Sequence, residues 1–462
     1  MHIRKTLALI AALLIFLPCA APALTLSAET VTPFDNNQIT VQTDSSGTLT
    51  LIPAMQDFDL MPIASSEPVE AGQTRIIWDG LSWNGEPVAA GWITLNAALT
   101  DASGSVRETS LRLKVGKPLC AAVSCLPFAD RFCPEDGALK IDCGLTGKGK
   151  AVLQIASAEK PGKVLRTIRQ NVQNNVPAVL QWDGRDKNKR RVADGEYLLT
   201  LSSAACPDVT KTASITVTRE STAVPDLFVT GSLLPADPEN DEEVWSILTA
   251  PSVVGAGTEG QGLYIMKKKT YSPAGSISCR TAALRVLEVG EDGWNRVGAW
   301  RQGLGEYIEG YVQRSKLTVI PARQSYGVLI NKQKQTLTVY QEGKRIGTFR
   351  VSTGLQSAKS PLAATPPGVY LVGSRMKDFQ NDGHHYDYPI RLHGDYLLHT
   401  LGYRLKDGVR SYSAELAELG SPASHGCIRM DVRATAESSG LNAWWIWTHL
   451  GRDTRVIVTE GP

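Results

Sequence analysis

Short segments of alternating apolar and polar residues recur along most of the chain and are separated by turn residues. Examples are residues 48–52, 111–115, 151–155 and 214–218, all of which contain β-branched side chains. A period of two residues is typical of strands that bury one face, and many such strands at short spacing favour β-sandwiches and barrels. We therefore predict a mainly β, multidomain chain with few helices.

The apolar pattern repeats itself once over a longer distance. The tripeptide Trp-Asp-Gly occurs at 78–80 and 182–184, and a later glycine, Gly91 or Gly195, follows each copy at the same spacing. Both features recur after 104 residues. This indicates two related β-sandwich repeats, over residues 24–117 and 118–220, with the two tryptophans in their cores.

The N-terminus has the pattern of an export signal. Arg4 and Lys5 precede an apolar run at 7–17, and Ala21-Pro22-Ala23 forms an A-x-A cleavage site. The run is shorter than the roughly 20 residues that span a bilayer. We expect residues 1–23 to be a signal peptide and the mature chain to work in the cell envelope, outside the cytoplasm. An uncleaved N-terminal anchor is the alternative.

Charge and cysteine content narrow the function further. The 462 residues contain 48 Lys and Arg against 46 Asp and Glu, which removes the electrostatic case for a nucleic-acid partner. Of the eight cysteines, seven remain after removal of the signal. An odd number in an exported protein indicates one free thiol, and we expect disulfides among the others, with the pairing left open.

The middle of the chain divides into a linker and a further strand-rich segment. Residues 221–242 are rich in proline and acidic side chains, which is typical of a linker. Residues 243–320 carry Gly-Trp-Asn-Arg-Val at 293–297 and Gly-Tyr-Val at 310–312. This segment resembles bacterial Src-homology-3-like barrels, and the two repeats resemble immunoglobulin-like modules. Either resemblance implies binding to the cell wall or a role as a spacer.

The last 140 residues contain the motif with the clearest chemistry, Ser-His-Gly-Cys-Ile-Arg at 424–429. Acyl transfer needs a nucleophile, and a thiol next to an imidazole supplies both the nucleophile and a proton acceptor. Gly426 permits close backbone approach, so its N–H and that of Cys427 are candidates for an oxyanion hole. We assign Cys427 as the nucleophile; the alternative is a seventh structural cysteine.

The order of motifs resembles the L,D-transpeptidase catalytic domain. The matching pieces are Val-Ser-Thr-Gly at 351–354, Thr-Pro-Pro-Gly at 365–368, an apolar strand ending in His399, and 420–429. The resemblance covers residues 325–460 and implies a mostly β catalytic domain with a cysteine nucleophile. It also implies that His399 is the proton donor and acceptor and that the Thr400 carbonyl orients its ring. His393, in Leu-His-Gly, is the alternative base.

Other residues near the motif are expected to support the site. Ser424 and His425 are expected to shape the substrate site, and Arg429 either binds a substrate carboxylate or holds the loop. The 403–419 segment is expected to be an extended loop that shapes or covers the cleft. Trp444, Trp445 and Trp447 occur at near-helical spacing and are predicted to be core residues of a helix.

The resemblance implies a peptidoglycan L,D-transpeptidase that releases D-Ala and forms 3→3 cross-links between stem peptides, without a cofactor or metal. The acceptor stays open: water would make the protein an L,D-carboxypeptidase, and a protein amine would anchor that protein to the wall. A zinc peptidase using the His and Asp residues of 382–425 is a rival, although no compact ligand spacing is present. A wall-binding protein with a silent catalytic domain is the other.

Overall fold

The computed structural model describes residues 23–173, 176–222, 240–270, 272–301, 306–321, 323–357, 360 and 363–460. Nearly all of the predicted signal peptide, and most of the predicted linker at 221–242, lie outside these residues. The described chain is mainly β with three α-helices, which confirms the predicted fold class. None of the helices in these ranges has the length and hydropathy needed to span a bilayer.

The first repeat consists of two sheets that share one core. Its strands are β1 (Leu24–Ala28), β2 (Asn37–Thr43), β3 (Gly47–Ala54), β4 (Ala64–Val69), β5 (Gly72–Trp78), β6 (Gly91–Asp101) and β7 (Val106–Val115). The strand orders are β1-β2-β5 and β4-β3-β6-β7. Alternate residues of facing strands, such as Val41, Leu51 and Leu95, fill the space between the sheets. The alternating sequence pattern thus produces a sandwich.

The second repeat has the same two-layer arrangement. Its strands are β8 (Ala122–Pro127), β9 (Arg131–Phe132), β10 (Leu139–Leu145), β11 (Gly149–Ser157), β12 (Val164–Val172), β13 (Ala178–Trp182), β14 (Gly195–Ser203) and β15 (Lys211–Val217). They form sheets of order β13-β10-β8 and β12-β11-β14-β15-β9 around a separate core. The two repeats therefore each have a core of their own, as independent sandwich units do.

The sequence repeat is also a structural repeat. Trp78 and Trp182 are both buried, and each indole Nε1 donates to the carbonyl three residues later, at 2.8 and 3.0 Å. Gly80 and Gly184 follow in left-handed conformations, with φ of 72° and 69°. A residue with a Cβ is strained in this region, so glycine is required to turn the chain. The predicted core role of both tryptophans is confirmed.

The third unit is a seven-stranded, nearly closed sheet, which is called the barrel from here on. It contains β16 (Ser252–Gly255), β17 (Gly262–Met266), β18 (Pro273–Ser278), β19 (Ala283–Val289), β20 (Trp294–Trp300), β21 (Tyr307–Gln313) and β22 (Leu317–Ile320), in the order β18-β17-β21-β20-β19-β16-β22. The preceding helix α1 (Asp241–Leu248) begins at Asn240, whose side chain accepts from the N–H of Glu242 and Glu243. This helix packs on the sheet of the C-terminal unit rather than on the barrel.

The C-terminal unit is built on an eight-stranded sheet. Its strands are β23 (Tyr326–Asn331), β24 (Thr336–Gln341), β25 (Lys344–Ser352), β26 (Gly368–Leu371), β27 (Asp378–Asn381), β28 (His384–Asp387), β29 (Ile390–His393), β30 (Tyr396–Thr400), β31 (Arg404–Lys406), β32 (Val409–Ser411), β33 (Ile428–Met430) and β34 (Arg455–Thr459). The main sheet has the order β26-β34-β23-β24-β25-β33-β30-β29, while β27-β28 and β31-β32 are separate hairpins. Helices α2 (Ser413–Glu418) and α3 (Ala443–His449) complete it.

Several local predictions for this unit are confirmed. The predicted strands at 328–330 and 336–340 lie in β23 and β24, and β24 turns into β25 through Glu342 and Gly343, both with positive φ. Trp444 and Trp447 of α3 are buried, at 6% and 3% exposure, and Trp445 packs against the same core. These three tryptophans are therefore core residues of a helix.

The expected disulfides are not present. All seven cysteines of the described chain are free thiols, including Cys125 and Cys143, which face each other across the β8–β10 ladder. The two thiols contact each other through a hydrogen bond, and each also lies 3.7 Å from a main-chain oxygen, that of Leu199 for Cys125 and that of Ile141 for Cys143. The odd number of cysteines therefore does not distinguish Cys427 from the others. Its assignment as the nucleophile depends on its surroundings.

Candidate active site

Two neighbouring parallel strands bring the Ser-His-Gly-Cys motif next to the candidate base. Strand β33 pairs with β30 so that Leu398 faces Ile428 and His399 faces Arg429. Cys427 immediately precedes β33, and continuing the register by one residue puts it beside Leu397. Because side chains alternate along a strand, this register predicts that Cys427 and His399 lie on the same face of the pair as diagonal neighbours.

The Cys427 thiol is partly buried and lies beside main-chain atoms. Its Sγ atom lies 3.6 Å from the carbonyl oxygen of Asp395, and the Leu397 N–H donates to the sulfur. Burial raises the pKa of the Cys427 thiol above its ordinary value, although the Leu397 N–H and the charge of Arg429 oppose the increase. The free protein therefore holds a neutral thiol, which needs a base before it can attack.

His399 is buried at the end of β30, with 3% of its surface exposed. Its ring packs edge-on against Tyr386, with centroids 4.7 Å apart, and against Phe379, at 5.4 Å. The Nδ1 atom lies 2.7 Å from the carbonyl oxygen of Thr400. Burial lowers the pKa of His399 to about 4, although the hydrogen bond to Thr400 opposes the decrease. The imidazole is therefore neutral at physiological pH, with its lone pair on Nε2.

The alternative base, His393, has a different environment. It is 1% exposed, and its Nδ1 atom lies 3.1 Å from the hydroxyl of Ser278 in the barrel. Its ring packs against Tyr370, with centroids 5.4 Å apart. Burial lowers the pKa of His393 to about 4. This histidine belongs to the contact between the barrel and the C-terminal unit, which favours His399 as the base.

The turn before Cys427 requires a glycine. Gly426 has a φ of 115°, and a Cβ at this position would overlap the ring of Tyr396. Its N–H donates to the hydroxyl of Ser424 at 3.2 Å, and the same hydroxyl donates to the carbonyl of Cys427. Ser424 thus shapes the turn from within. The Gly426 N–H, proposed from the sequence for the oxyanion hole, already has an acceptor in the free protein.

Thr365 connects the three motifs, a role that the sequence did not assign to it. Its hydroxyl accepts from the N–H of Gly354 at 2.8 Å and donates to the carbonyl of Gly426, also at 2.8 Å. The carbonyl of Thr353 accepts from the N–H of Ser424 at 3.1 Å. The Thr-Pro-Pro-Gly motif was the available signal in the sequence. A buried threonine hydroxyl needs both an acceptor and a donor as hydrogen-bond partners, and the sequence did not identify them.

Arg429 is held by two carboxylates of helix α2. Its Nε atom lies 3.2 Å from Glu415, and a terminal nitrogen lies 2.7 Å from Glu418. These contacts correspond to the alternative in which Arg429 holds the loop rather than a substrate carboxylate. His425, the other residue expected to shape the substrate site, is exposed beside the turn.

The segment expected to be an extended loop is folded and docked. Residues 403–419 form the β31–β32 hairpin and helix α2, and Tyr412 just before α2 contacts the first repeat. The N–H of Tyr412 donates to Asp57 at 2.5 Å, and its ring lies 5.9 Å from that of Phe58. Nearby, the N–H of Trp92 donates to Gly408 at 3.3 Å. The first repeat thus supports the segment beside the candidate active site.

No group of three or more His, Cys, Asp or Glu residues in the described ranges has an arrangement suited to a metal ion. The histidine and aspartate residues of 382–387 lie instead on and around the β27–β28 hairpin, where the His385 ring stacks on Tyr403 at 5.3 Å.

A family model matches the part of the chain that contains these residues. The family model YkuD, described as the L,D-transpeptidase catalytic domain, matches residues 325–458. A curated relative is 26% identical over 135 residues. It is YciB of Bacillus subtilis (strain 168), which is named as an L,D-transpeptidase. That alignment covers 28% of this chain and 63% of the relative. The chain thus spans less than two thirds of the length of this relative.

Solved structures of L,D-transpeptidases are also similar. One from Xylanimonas cellulosilytica DSM 15894 is 20% identical, with 30% of this chain and 64% of that chain covered and a TM-score of 0.21. One from Mycobacterium tuberculosis H37Rv is 16% identical, with 49% and 88% covered and a TM-score of 0.24. These TM-scores are low, so the class of the domain is inferred from the family match over residues 325–458. Residues 325–458 form an L,D-transpeptidase-type catalytic domain, the class of domain found in cell-wall transpeptidases.

Proposed function

We propose that the protein is an exported peptidoglycan L,D-transpeptidase that forms 3→3 cross-links through an acyl-enzyme on Cys427 and releases D-Ala. The observation that supports the proposal is the pairing of β30 with β33, in which His399 faces Arg429, two residues after Cys427. The family match over residues 325–458 supports the same reaction class.

In the proposed first half-reaction, the Cys427 sulfur attacks the carbonyl carbon of the third residue of a tetrapeptide stem. His399 takes the thiol proton on Nε2, because Nδ1 donates to Thr400. The tetrahedral intermediate then collapses, the bond to D-Ala breaks, and the imidazolium returns its proton to the departing amine. A thioester remains on Cys427, and no charge or atom is left over.

The negative oxygen of the tetrahedral intermediate needs hydrogen-bond donors. We assign this role to the main-chain N–H groups of Cys427 and Gly426. Because the Gly426 N–H donates to Ser424 at 3.2 Å in the free protein, its participation requires that it exchange this partner for the oxyanion.

In the second half-reaction, the side-chain amine of another stem attacks the thioester, His399 accepts its proton, and the proton passes to the departing thiolate. Water in place of this amine would give an L,D-carboxypeptidase, and a protein amine would give wall anchoring. We assign residues 1–23 to export. We assign the two repeats and the barrel to binding or spacing at the wall, with peptidoglycan stem peptides as partners of the catalytic domain.

The test is intact-mass spectrometry of residues 24–462 incubated with a tetrapeptide stem, together with a measurement of free D-Ala. The Cys427→Ala variant is compared with Cys279→Ala, which removes a buried thiol from the barrel. We expect an adduct of the stem minus D-Ala on the wild type and on Cys279→Ala, and none on Cys427→Ala. A second stem should then discharge the adduct into a dimer. Absence of both the adduct and free D-Ala in the wild type would show that the proposal is wrong.

A further inference from the structure

Helix α2 carries a buried carboxylate that the proposed reaction does not use. Glu415 is 5% exposed, and its two oxygens have three donors. One oxygen accepts from the Gly402 N–H at 2.6 Å and lies 3.2 Å from the Nε of Arg429, while the other accepts from the Tyr386 hydroxyl at 3.1 Å. A carboxylate is removed from water only at a considerable cost, so such a complete set of donors indicates a specific structural role.

Two of these donors adjoin the proposed catalytic pair. The Tyr386 ring packs edge-on against the His399 ring, with centroids 4.7 Å apart and planes at 74°. Arg429 faces His399 in the β30–β33 ladder and follows Cys427 by two residues. A single residue therefore lies between the Glu415 carboxylate and each reactive group: Tyr386 connects it to His399, and Arg429 connects it to the turn that carries Cys427.

We propose that Glu415 is a positioning residue for His399 and for the Cys427 turn. It acts through Tyr386, whose ring orientation is set by the hydrogen bond of its hydroxyl, and through Arg429, whose guanidinium it holds beside β30. The Gly402 N–H fixes the carboxylate itself. This inference rests on the proposed function, because positioning matters only if His399 and Cys427 react.

The geometry separates Glu415 from its neighbour Glu418. Both lie on α2 and both contact Arg429, but the Glu418 side chain is 51% exposed, whereas that of Glu415 is 6% exposed. Glu418 lies 2.7 Å from Arg429, a shorter contact than that of Glu415. Only Glu415 reaches Tyr386 and Gly402. If pairing with Arg429 were the whole role, the two carboxylates would have similar effects on the reaction.

The experiment compares Glu415→Gln with Glu418→Gln in the full mature chain. It measures kcat and KM for D-Ala release, the final stoichiometry of the stem adduct, and the melting temperature. We expect Glu415→Gln to lower kcat at least tenfold, with KM within threefold and the adduct still reaching one per chain. Glu418→Gln should change kcat less than threefold. Equal effects of the two variants on kcat would overturn the proposal. If Glu415→Gln lost adduct stoichiometry in proportion to its rate, which would indicate misfolding, Tyr386→Phe would decide, and an unchanged kcat for Tyr386→Phe would overturn the proposal.

A second variant tests the Tyr386 arm directly. Tyr386→Phe removes only the hydroxyl, and we expect it to lower kcat while making the Glu415→Gln change less harmful in the double variant, since the two residues act through one contact. Fully independent effects would contradict this arm of the proposal. The variant also remains informative if Glu415→Gln does not fold.

A donor-independent readout separates this inference from the proposed function. The rate of Cys427 alkylation by iodoacetamide, followed by peptide mapping, needs no stem peptide. Glu415→Gln should slow it at least threefold, and Glu418→Gln should not. If the wild type released no D-Ala but this difference remained, the proposed reaction would be wrong and the positioning role would stand. If the wild type released D-Ala but the two variants were alkylated at the same rate, the proposed reaction would stand and the positioning role of Glu415 would be wrong.

Discussion

The Nδ1 atom of His399 lies 2.7 Å from the main-chain oxygen of the next residue, Thr400. A carbonyl oxygen can only accept, so Nδ1 carries the ring proton and Nε2 carries the lone pair. Since burial lowers the pKa of His399 to about 4, the ring is neutral and ready to accept a proton at physiological pH. This contact determines which ring nitrogen can serve the Cys427 thiol.

Replacing each buried histidine should distinguish the two candidate bases. We expect His399→Asn to lower kcat for D-Ala release by about 100-fold or more, since general base catalysis contributes factors of this size. His393→Asn should reduce kcat by less than about tenfold, because its contacts are with the barrel residue Ser278 rather than with Cys427. Steady-state kinetics of the two variants provide the measurement. A larger loss for His393→Asn would reverse the assignment.

The pH dependence of Cys427 alkylation should follow a neutral thiol. Burial raises the pKa of this thiol, so the thiolate fraction, and with it the rate of reaction with iodoacetamide, should increase with pH throughout the range from 6 to 9. Stopped-time alkylation with peptide mapping measures this rate. A plateau that begins below pH 7 would indicate a preformed thiolate–imidazolium pair, and the base-first mechanism would then be incorrect.

The two buried histidines should make the catalytic domain sensitive to acid. Burial lowers the pKa of both His393 and His399 to about 4, whereas an unfolded histidine titrates near 6.5. Between these values the unfolded state binds protons that the folded state does not. The contribution of each neutral histidine to the free energy of unfolding is therefore fully present above pH 6.5. It is lost as the pH decreases towards 4, by roughly 3 kcal/mol per histidine.

Urea unfolding of wild type and His393→Gln at pH 7 and pH 4.5 tests this acid sensitivity. Glutamine keeps a group that can bond Ser278 but does not titrate. The free energy of unfolding of the variant should therefore decrease less between the two pH values than that of the wild type. Equal decreases would show that His393 does not contribute.

Thr365 should be more important to the catalytic turn than its small side chain indicates. Thr365→Val removes the hydroxyl that joins Gly354 to Gly426 and leaves two buried main-chain groups without partners. We expect a loss of about 2–4 kcal/mol in unfolding free energy, with reduced D-Ala release. The control is Thr338→Val, which breaks a 2.9 Å contact between two hydroxyls in the same domain and should cost less than about 1 kcal/mol. Similar losses for both variants would contradict the role assigned to Thr365.

Docking of the first repeat should affect the reaction at a distance. Asp57→Ala removes the acceptor of the Tyr412 N–H at the start of α2 and should lower kcat several-fold by loosening the helix that carries Glu415. Asp59→Ala, on the same turn of the first repeat but exposed, is the matched control and should be neutral. The measurement is D-Ala release by the full chain. A kcat for Asp57→Ala equal to that of the control would show that docking does not support the site.

Local sequence pattern was enough for the elements whose structure depends on nearby residues. The hairpin at Glu342 and Gly343, the tryptophans of α3 and the Trp-Asp-Gly repeat all follow from turn chemistry and from the period of apolar positions. The expected disulfides were wrong because the rule used only cysteine number and compartment. Spacing along the chain does not say which thiols meet, and even Cys125 and Cys143, which contact each other across a ladder, are free thiols.

Contacts between residues that are distant in the chain could not be predicted from the sequence. Glu415 contacts Tyr386, which lies 29 residues earlier, and Asp57 reaches Tyr412 across 355 residues. No motif marks these pairs, because each depends on how separate strands and modules pack. Thr365 lies between the two cases, since its motif was visible and only its partners were not.

The sequence by itself determined that the chain is mainly β, that its first part contains a repeat of 104 residues, and that Cys427 and His399 are the candidate reactive groups. The fold class, the repeat and the Cys427 motif follow from local periodicity and motif chemistry, whereas the choice of His399 came from the resemblance to the L,D-transpeptidase domain. Tertiary structure alone decided that β30 and β33 are neighbours and that Glu415 joins Tyr386 to Arg429. It also decided that the first repeat supports α2. Such contacts arise from burial and hydrogen bonding between distant segments, which sequence spacing does not encode.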